Sequence, residues 1–290
     1  EQKFCRFGWF DFIDDIEVSG ALLEAVELWA RENGMSTVHG PLGFTDMDPE
    51  GMLIEGFEEL GTMATLYNHP YYPHHMEKLG YVKDIDWVEF EVKIPEEIPE
   101  RVQRLHALVL KRSKLRLVES KKKHLKSYAR KMFNLINETY ADLYGFVTLT
   151  DKQIDVYINQ YFGFIHPDYV QFIVDDEDNL IAFGIAMPSL SRALQRSRGR
   201  LFPFGFIPLL GALKNPKYID LLLVAVRPDY QARGITAILM NEMNKNAVKN
   251  GVISAETNPE LETNTQVQAM WKPYDARQHK RRRCYIKTLA

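Results

Sequence analysis

Residues 221–236, LLLVAVRPDYQARGIT, have the residue types and spacing to hold an anion. The apolar run Leu221 to Val226 has the length and β-branched content of a buried strand. Pro228 closes that strand, because proline brings no ladder donor and restricts the residue before it. Gly234 permits close backbone approach, and a helical pattern begins directly after it. A helix opening there presents unpaired N–H groups and a positive dipole end, a combination suited to a pyrophosphate. The competing reading is an ordinary strand-to-helix turn of some other α/β protein.

Gln231, Ala232, Arg233, Gly234, Ile235 and Thr236 together resemble the acyl-CoA signature Q/R-x-x-G-x-G/A of the GNAT N-acyltransferase superfamily. Thr236 departs from the usual small residue: its β-branch crowds a phosphate, while its hydroxyl can donate to one. The resemblance implies acetyl-CoA or another acyl-CoA as co-substrate, no metal, and direct attack of a primary amine on the thioester. It also implies that backbone N–H groups of the preceding strand meet the thioester carbonyl, which brings in Val224 and Val226 by position alone. Glu256, on the strand after the motif helix, is the candidate general base. Its neighbours Ile253 and Ala255 are expected to enclose it and make it a readier proton acceptor. A structural alternative has Glu256 paired with an arginine or turned to solvent. Asn264 occupies the place of a CoA-contacting asparagine, with helix capping as its other reading. The superfamily's acid tyrosine, expected on the next helix, falls in register on Trp271. Tyr274 is the nearest tyrosine, and Tyr285 on the final strand is the second candidate; both also read as core.

Composition narrows the class. With 290 residues, 46% hydrophobic and 26% charged, the chain reads as a soluble globular protein of two domains. A net charge of −3 argues against a general nucleic-acid binder. Cys5 and Cys284 are the two cysteines, which provides no disulfide framework and fits a reducing cytoplasm. No apolar run is long enough to span a membrane. The numbering opens at Glu1 on a strand-like stretch, so a missing N-terminal portion is expected.

The elements that must position these residues form an α/β (α+β) arrangement of two GNAT-like domains, each a central mixed sheet flanked by helices. The first, 1–96, is partial: strand 7–12, helix 18–33 with Leu22, Val26 and Trp29 on one stripe, a strand at 37–39, loop over 40–72, helix 73–79 and strand 81–92. A Pro-bearing linker, Pro95 to Pro99, leads to the second, 100–290. That one is predicted as helix 100–111, strand 115–118, helices 124–144 and 151–162, hairpin 169–188, strand 218–226, helix 234–250, strand 252–257, helix 264–274 and strand 282–289. In place of the glycine loop the first copy has Asp14, Asp15 and Glu17, whose charges repel a pyrophosphate, so it reads as degenerate. The run His279 to Arg283 suits a CoA phosphate, an acidic substrate or a lipid headgroup, or else a solvated strand edge. His69, His74 and His75 lack metal-ligand spacing.

An insert, 189–217, joins Arg192, Arg196, Arg198 and Arg200 to the apolar Leu201–Leu210. It suits a cover over an acyl chain, a peripheral membrane contact, or interdomain core. The acceptor is expected to be a small-molecule or peptidyl amine. Two further readings stay open: a Fem-type aminoacyl-tRNA-dependent transferase, and a non-catalytic binding protein on the same fold.

Overall fold

The computed structural model describes residues 3–98, 100, 103–104, 106–108, 113–119, 121–161 and 165–289. The chain forms two compact units. Unit 1 comprises Glu1–Phe90, Pro259–Thr265 and Gln278–Ala290; unit 2 comprises Glu91–Asn258 and Gln266–Arg277. The chain therefore changes unit at Phe90/Glu91, ahead of the Pro-bearing linker, and the last strand is grouped with the N-terminal residues.

In unit 1, β1 (Phe4–Arg6) runs parallel to β2 (Thr37–Gly40), and α1 (Ile16–Glu32) lies between them in sequence. β11 (Ala276–Thr288) pairs antiparallel with β2, and β4 (Val82–Lys93) follows it in the strand order. β3 (Met52–Glu55) pairs with β11, and β10 (Glu260–Leu261) with Val88 and Trp87 of β4. α2 (Tyr71–Lys78) completes the set.

Two expectations are corrected here. Residues 7–12 form no strand, because Trp9 adopts a positive φ of 48° that a ladder cannot hold. Phe7 and Phe12 are buried there instead, with Phe12 stacked on Tyr72 at 4.0 Å. On α1 the inward positions are Ser19, Leu23, Glu27 and Ala30, while Leu22 and Trp29 are exposed. The stripe is displaced because Glu27 is a core-facing acceptor, receiving Tyr81 Oη at 3.1 Å and Lys287 Nζ at 2.8 Å.

In unit 2, β5 (Arg116–Leu117), β6 (Val170–Val174), β7 (Leu180–Pro188) and β8 (Tyr218–Val226) pair antiparallel in that order. β9 (Ser254–Thr257) is parallel to β8, and Glu91–Lys93 pair antiparallel with β9. α3 (Lys122–Thr139) covers one face, with Tyr128 stacked on Phe172 of β6 at 5.2 Å. The next residue, Ile173, points to the other face. There it packs with Ile235, Ile238 and Leu239 of α7 (Ile235–Lys249). α4 (Asp151–Tyr161) begins with a reciprocal cap in which Thr150 N donates to Gln153 Oε1 at 2.9 Å.

The insert folds as α5 (Ser191–Ser197) and α6 (Phe206–Lys214). The helix expected over 264–274 shortens to α8 (Thr265–Gln268) and continues as turns such as Trp271 N to Gln268 O, 3.2 Å, up to Pro273. The helix expected over 100–111 falls largely outside the described residues. Among the described residues, no helix is long and apolar enough to cross a membrane.

Candidate active site

The site in unit 2 begins with an irregularity in β8. Ala186 pairs with Leu221 and Ile185 with Leu223, so Leu222 is the extra residue of a bulge. An extra residue reverses the side-chain phase of a strand. Ile219 and Leu221 pack under α7 before the bulge, and Val224 and Val226 do so after it.

The bulge also sits where β8 loses its neighbour. β8 matches β9 over Tyr218–Leu221, and Asn258 N closes the pairing on Leu221 O at 2.9 Å. Past Leu221, no described strand pairs with β8 on that side. Arg227 N bonds to Ile181 O of β7 at 2.8 Å, so alternation points the peptide groups of Leu223 and Ala225 toward β7 and those of Val224 and Val226 away from it. Their carbonyls agree: Val224 O accepts from Tyr140 Oη at 2.8 Å and Val226 O from Gln231 Nε2 at 3.1 Å. The two N–H groups share that outward direction. They can stabilise negative charge developing on a carbonyl oxygen.

The segment after β8 leaves a helix start without a side-chain cap. Pro228–Tyr230 make a 3-10 turn, Ala232 and Gly234 take positive φ of 57° and 77°, and α7 opens at Ile235. Gly234 is the N-cap and has no side-chain cap bond, so the first amides of α7 face outward. A helix start free of its own carboxylate can receive phosphate oxygens. Arg227 is held by Asp229 through bonds of 2.6 and 2.8 Å and stacks on Tyr230, as does Arg233. Within the motif, Gln231 serves as a pin on β8, Ile235 is a core residue whose contribution is its backbone, and Ala232, Arg233 and Gln231 are exposed. Thr236 lies half-buried in the first turn of the helix.

Glu256 lies one rung before the strands part. Its register partners are Asp220 on β8 and Glu91 on β4, three carboxylates in a row. Ile219 and Ala255 pack with Met243 and Ala247 of α7, so Asp220 and Glu256 face the opposite side of the sheet. The expected apolar enclosure is not formed: Ile253 is 54% exposed, because it precedes β9 at the surface. Glu91 is engaged by Arg277 Nε at 2.8 Å.

Tyr274 is half-buried, and its hydroxyl accepts from Asn244 Nδ2 of α7 at 2.8 Å. Burial pushes that hydroxyl's pKa up, and the Asn244 bond offsets part of the rise. Tyr285 and Asn264 belong to unit 1, whereas the phosphate loop belongs to unit 2. Tyr285 is wholly buried, with a pKa pushed up to about 12 by burial. Asn264 N closes a turn on Leu261 O at 2.9 Å. Tyr140, Asp220 and the Leu222 bulge escape a sequence reading. Tyr140 lies just past α3, far along the chain from the strand it meets, and the bulge hides inside an unbroken apolar run. Asp220 alone left a signal, as a charge in an apolar strand.

The basic run is neither an anion site nor a solvated edge. Lys280 and Arg282, each 1% exposed, grip the buried Glu89 at 2.9 and 2.7 Å. Arg281 and Arg283 reach Asp86 at 3.3 and 2.8 Å. Burial pushes the Glu89 carboxyl up, but Arg282 and Lys280 outweigh it and hold its pKa below the ordinary range. Among the described residues, the donor atoms of His39, Asp84 and Cys284 in unit 1 lie within 4.8 Å of one another. The Arg6 charge beside His39 weighs against a cation there.

A mixed sheet, a strand with outward peptide groups and an uncapped helix after it define the α/β architecture of this site. The family model of the Acetyltransferase (GNAT) family matches residues 129–274, half of the chain, and the chain belongs to that family. Protein YghO of Escherichia coli (strain K12) is 29% identical over 294 residues, covering 98% of this chain and 74% of that protein. Bacterial ceramide synthase of Caulobacter vibrioides (strain NA1000 / CB15N) is 25% identical over 233 residues, covering 78% of this chain and 59% of that protein. Among solved structures, a GCN5-related N-acetyltransferase from Sphaerobacter thermophilus superposes with a TM-score of 0.54 at 12% identity, covering 94% of this chain and 69% of that one. A tandem GNAT protein from the clavulanic acid biosynthesis pathway gives 0.50 at 11% identity, covering 93% and 70%. These two structures share the fold.

Proposed function

We propose that the chain is an acyl-CoA-dependent N-acyltransferase acting by direct attack of a primary amine on the thioester. The observation that carries this reading is the outward turn of the Val224 and Val226 peptide groups, directly upstream of an uncapped helix start. The amides at Gly234–Thr236 hold the pyrophosphate, and the thioester lies along β8 with its carbonyl oxygen on the Val224 and Val226 N–H groups. The amine nitrogen attacks the carbonyl carbon, the C–S bond breaks, and the electron pair leaves on sulfur. Glu256, in the carboxylate row with Asp220, accepts the proton the amine must lose. A tyrosine hydroxyl returns a proton to the thiolate. Tyr140 is the foremost candidate because it bonds to the donor strand, and Tyr274 is the other within unit 2; Tyr285 belongs instead to the core of unit 1.

Ceramide is the amide of a fatty acid and a long-chain amino alcohol. The name of the Caulobacter relative therefore supports amide formation, and a long acyl chain, for this chain too. In unit 1 the start of α1 is filled by Asp15, whose side chain accepts from Glu17 N at 2.9 Å, so this unit contributes structure and no nucleotide site.

Calorimetry with acetyl-CoA, a long-chain acyl-CoA and free CoA tests the reading. Wild type should bind, and Gly234→Asp should lose affinity by at least about tenfold, or about 1.4 kcal/mol. A wild type that binds none of the three would overturn it.

A further inference from the structure

The insert bears a composition unlike the rest of the chain. Ser189–Lys217 holds Arg192, Arg196, Arg198, Arg200, Lys214 and Lys217 and no Asp or Glu, in a protein of net charge −3. Its second half is strongly apolar, yet α6 contains no buried residue. Phe202 is 81% exposed, Phe204 70%, Leu210 58% and Ile207 56%, with Leu201 and Phe206 beside them. The segment therefore does not form core. Arg198 and Gly199, both at positive φ, end α5 and turn the chain from the basic half into the apolar one. Arg192 stacks on Tyr218 at 4.0 Å, and no described carboxylate pairs with Arg196, Arg198 or Arg200.

We infer that the insert docks the protein on an anionic lipid surface, with Phe202, Phe204, Ile207 and Leu210 entering the acyl boundary and the arginines meeting headgroups. Apolar side chains flanked by unpaired cations match the two layers of a bilayer interface. Charge selects this occupant over a second copy of the chain: a two-fold contact would set the same arginines against themselves. The assignment stands apart from the acyl-transfer reading, because it needs neither CoA nor an amine.

Vesicle co-sedimentation tests it, using phosphatidylcholine vesicles with and without phosphatidylglycerol and no substrate. Wild type should bind the anionic vesicles, less at high salt. At about fivefold per cation, Arg196→Gln/Arg198→Gln/Arg200→Gln should weaken binding on the order of a hundredfold. Phe202→Ser/Phe204→Ser should lose the binding that persists at high salt. Both variants should keep the far-ultraviolet circular dichroism and the cooperative thermal melt of the wild type, which shows that they are folded. Wild type remaining in solution with anionic vesicles, or variants that sediment equally with it, would overturn the inference. So would a concentration-dependent dimer that Phe202→Ser/Phe204→Ser dissolves, since the face would then serve a second copy.

Discussion

Glu256 and Tyr140 flank the parting of β8 and β9 from different parts of the chain, one on the last rungs of the pairing and one on the Val224 carbonyl. Removing a proton-transfer group costs about 10²–10⁴ in rate while substrate binding persists. Glu256→Gln should therefore lower kcat by that order in steady-state assays and leave acyl-CoA affinity unchanged; Tyr140→Phe should do the same if it is the acid. Unchanged turnover in both would remove them from the mechanism. Asp46 in unit 1 makes a different residue-level case. Its Oδ1 is buried without a hydrogen-bond partner, and burial pushes its pKa to about 6 from the ordinary 3.8, against the pull of Arg6. A carboxyl more readily protonated in the folded state contributes stability below its unfolded pKa and loses it as the pH rises through the folded one. The melting temperature should thus fall between pH 3.8 and about 6 through this group. In Asp46→Asn, thermal melts across that window should show a shallower slope; an unaltered slope would assign the effect elsewhere.

Two helix starts differ in how their first amides are capped. α1 opens on Asp15, whose side chain accepts from Glu17 N; α7 opens on Gly234, whose carbonyl accepts from Ala237 N at 3.1 Å but which has no side-chain cap for the amides before Ala237. Asp15→Ala should cost about 1 kcal/mol in denaturant unfolding, as cap loss does, and leave acyl-CoA affinity untouched. Most elements were legible because they obey simple periods and punctuation: strand 218–226 stops just before Pro228, α7 lies between Gly234 and Gly251, and α2 stops just before Gly80. The two misreadings in unit 1 both involve partners far along the chain, with the positive φ of Trp9 adding a local cause at 7–12. The α1 stripe shifted because Glu27 is drawn inward by Tyr81 and Lys287, and residues 7–12 left the ladder to stack on α2. For the site, the loop could be read from its glycine and its flanking elements, whereas the bulge at Leu222 and the reach of Tyr140 exist only once the strands are paired.

At the scale of the whole molecule, the division into units does not follow the chain. β11 leaves unit 2 and completes unit 1, placing Lys280 and Arg282 on Glu89, and Arg282 lies 193 residues from Glu89 along the chain. Breaking a buried ion cluster by removing one partner costs about 3–5 kcal/mol, because the remaining charges stay buried. Glu89→Ala should lower unfolding stability by that order in denaturant titrations followed by a probe in unit 1; a loss under about 1 kcal/mol would mean that water reaches the cations. The same arrangement bears on how the protein is made. Translation delivers β2 and β4 early, and β11, which pairs with β2 and lies next to β4, only after all of residues 91–258. A nascent chain at that stage carries open strand edges, which are templates for pairing with other chains. The ribosome thus produces last the strand that lies between β2 and β4, so the sheet of unit 1 closes only when the chain is nearly finished.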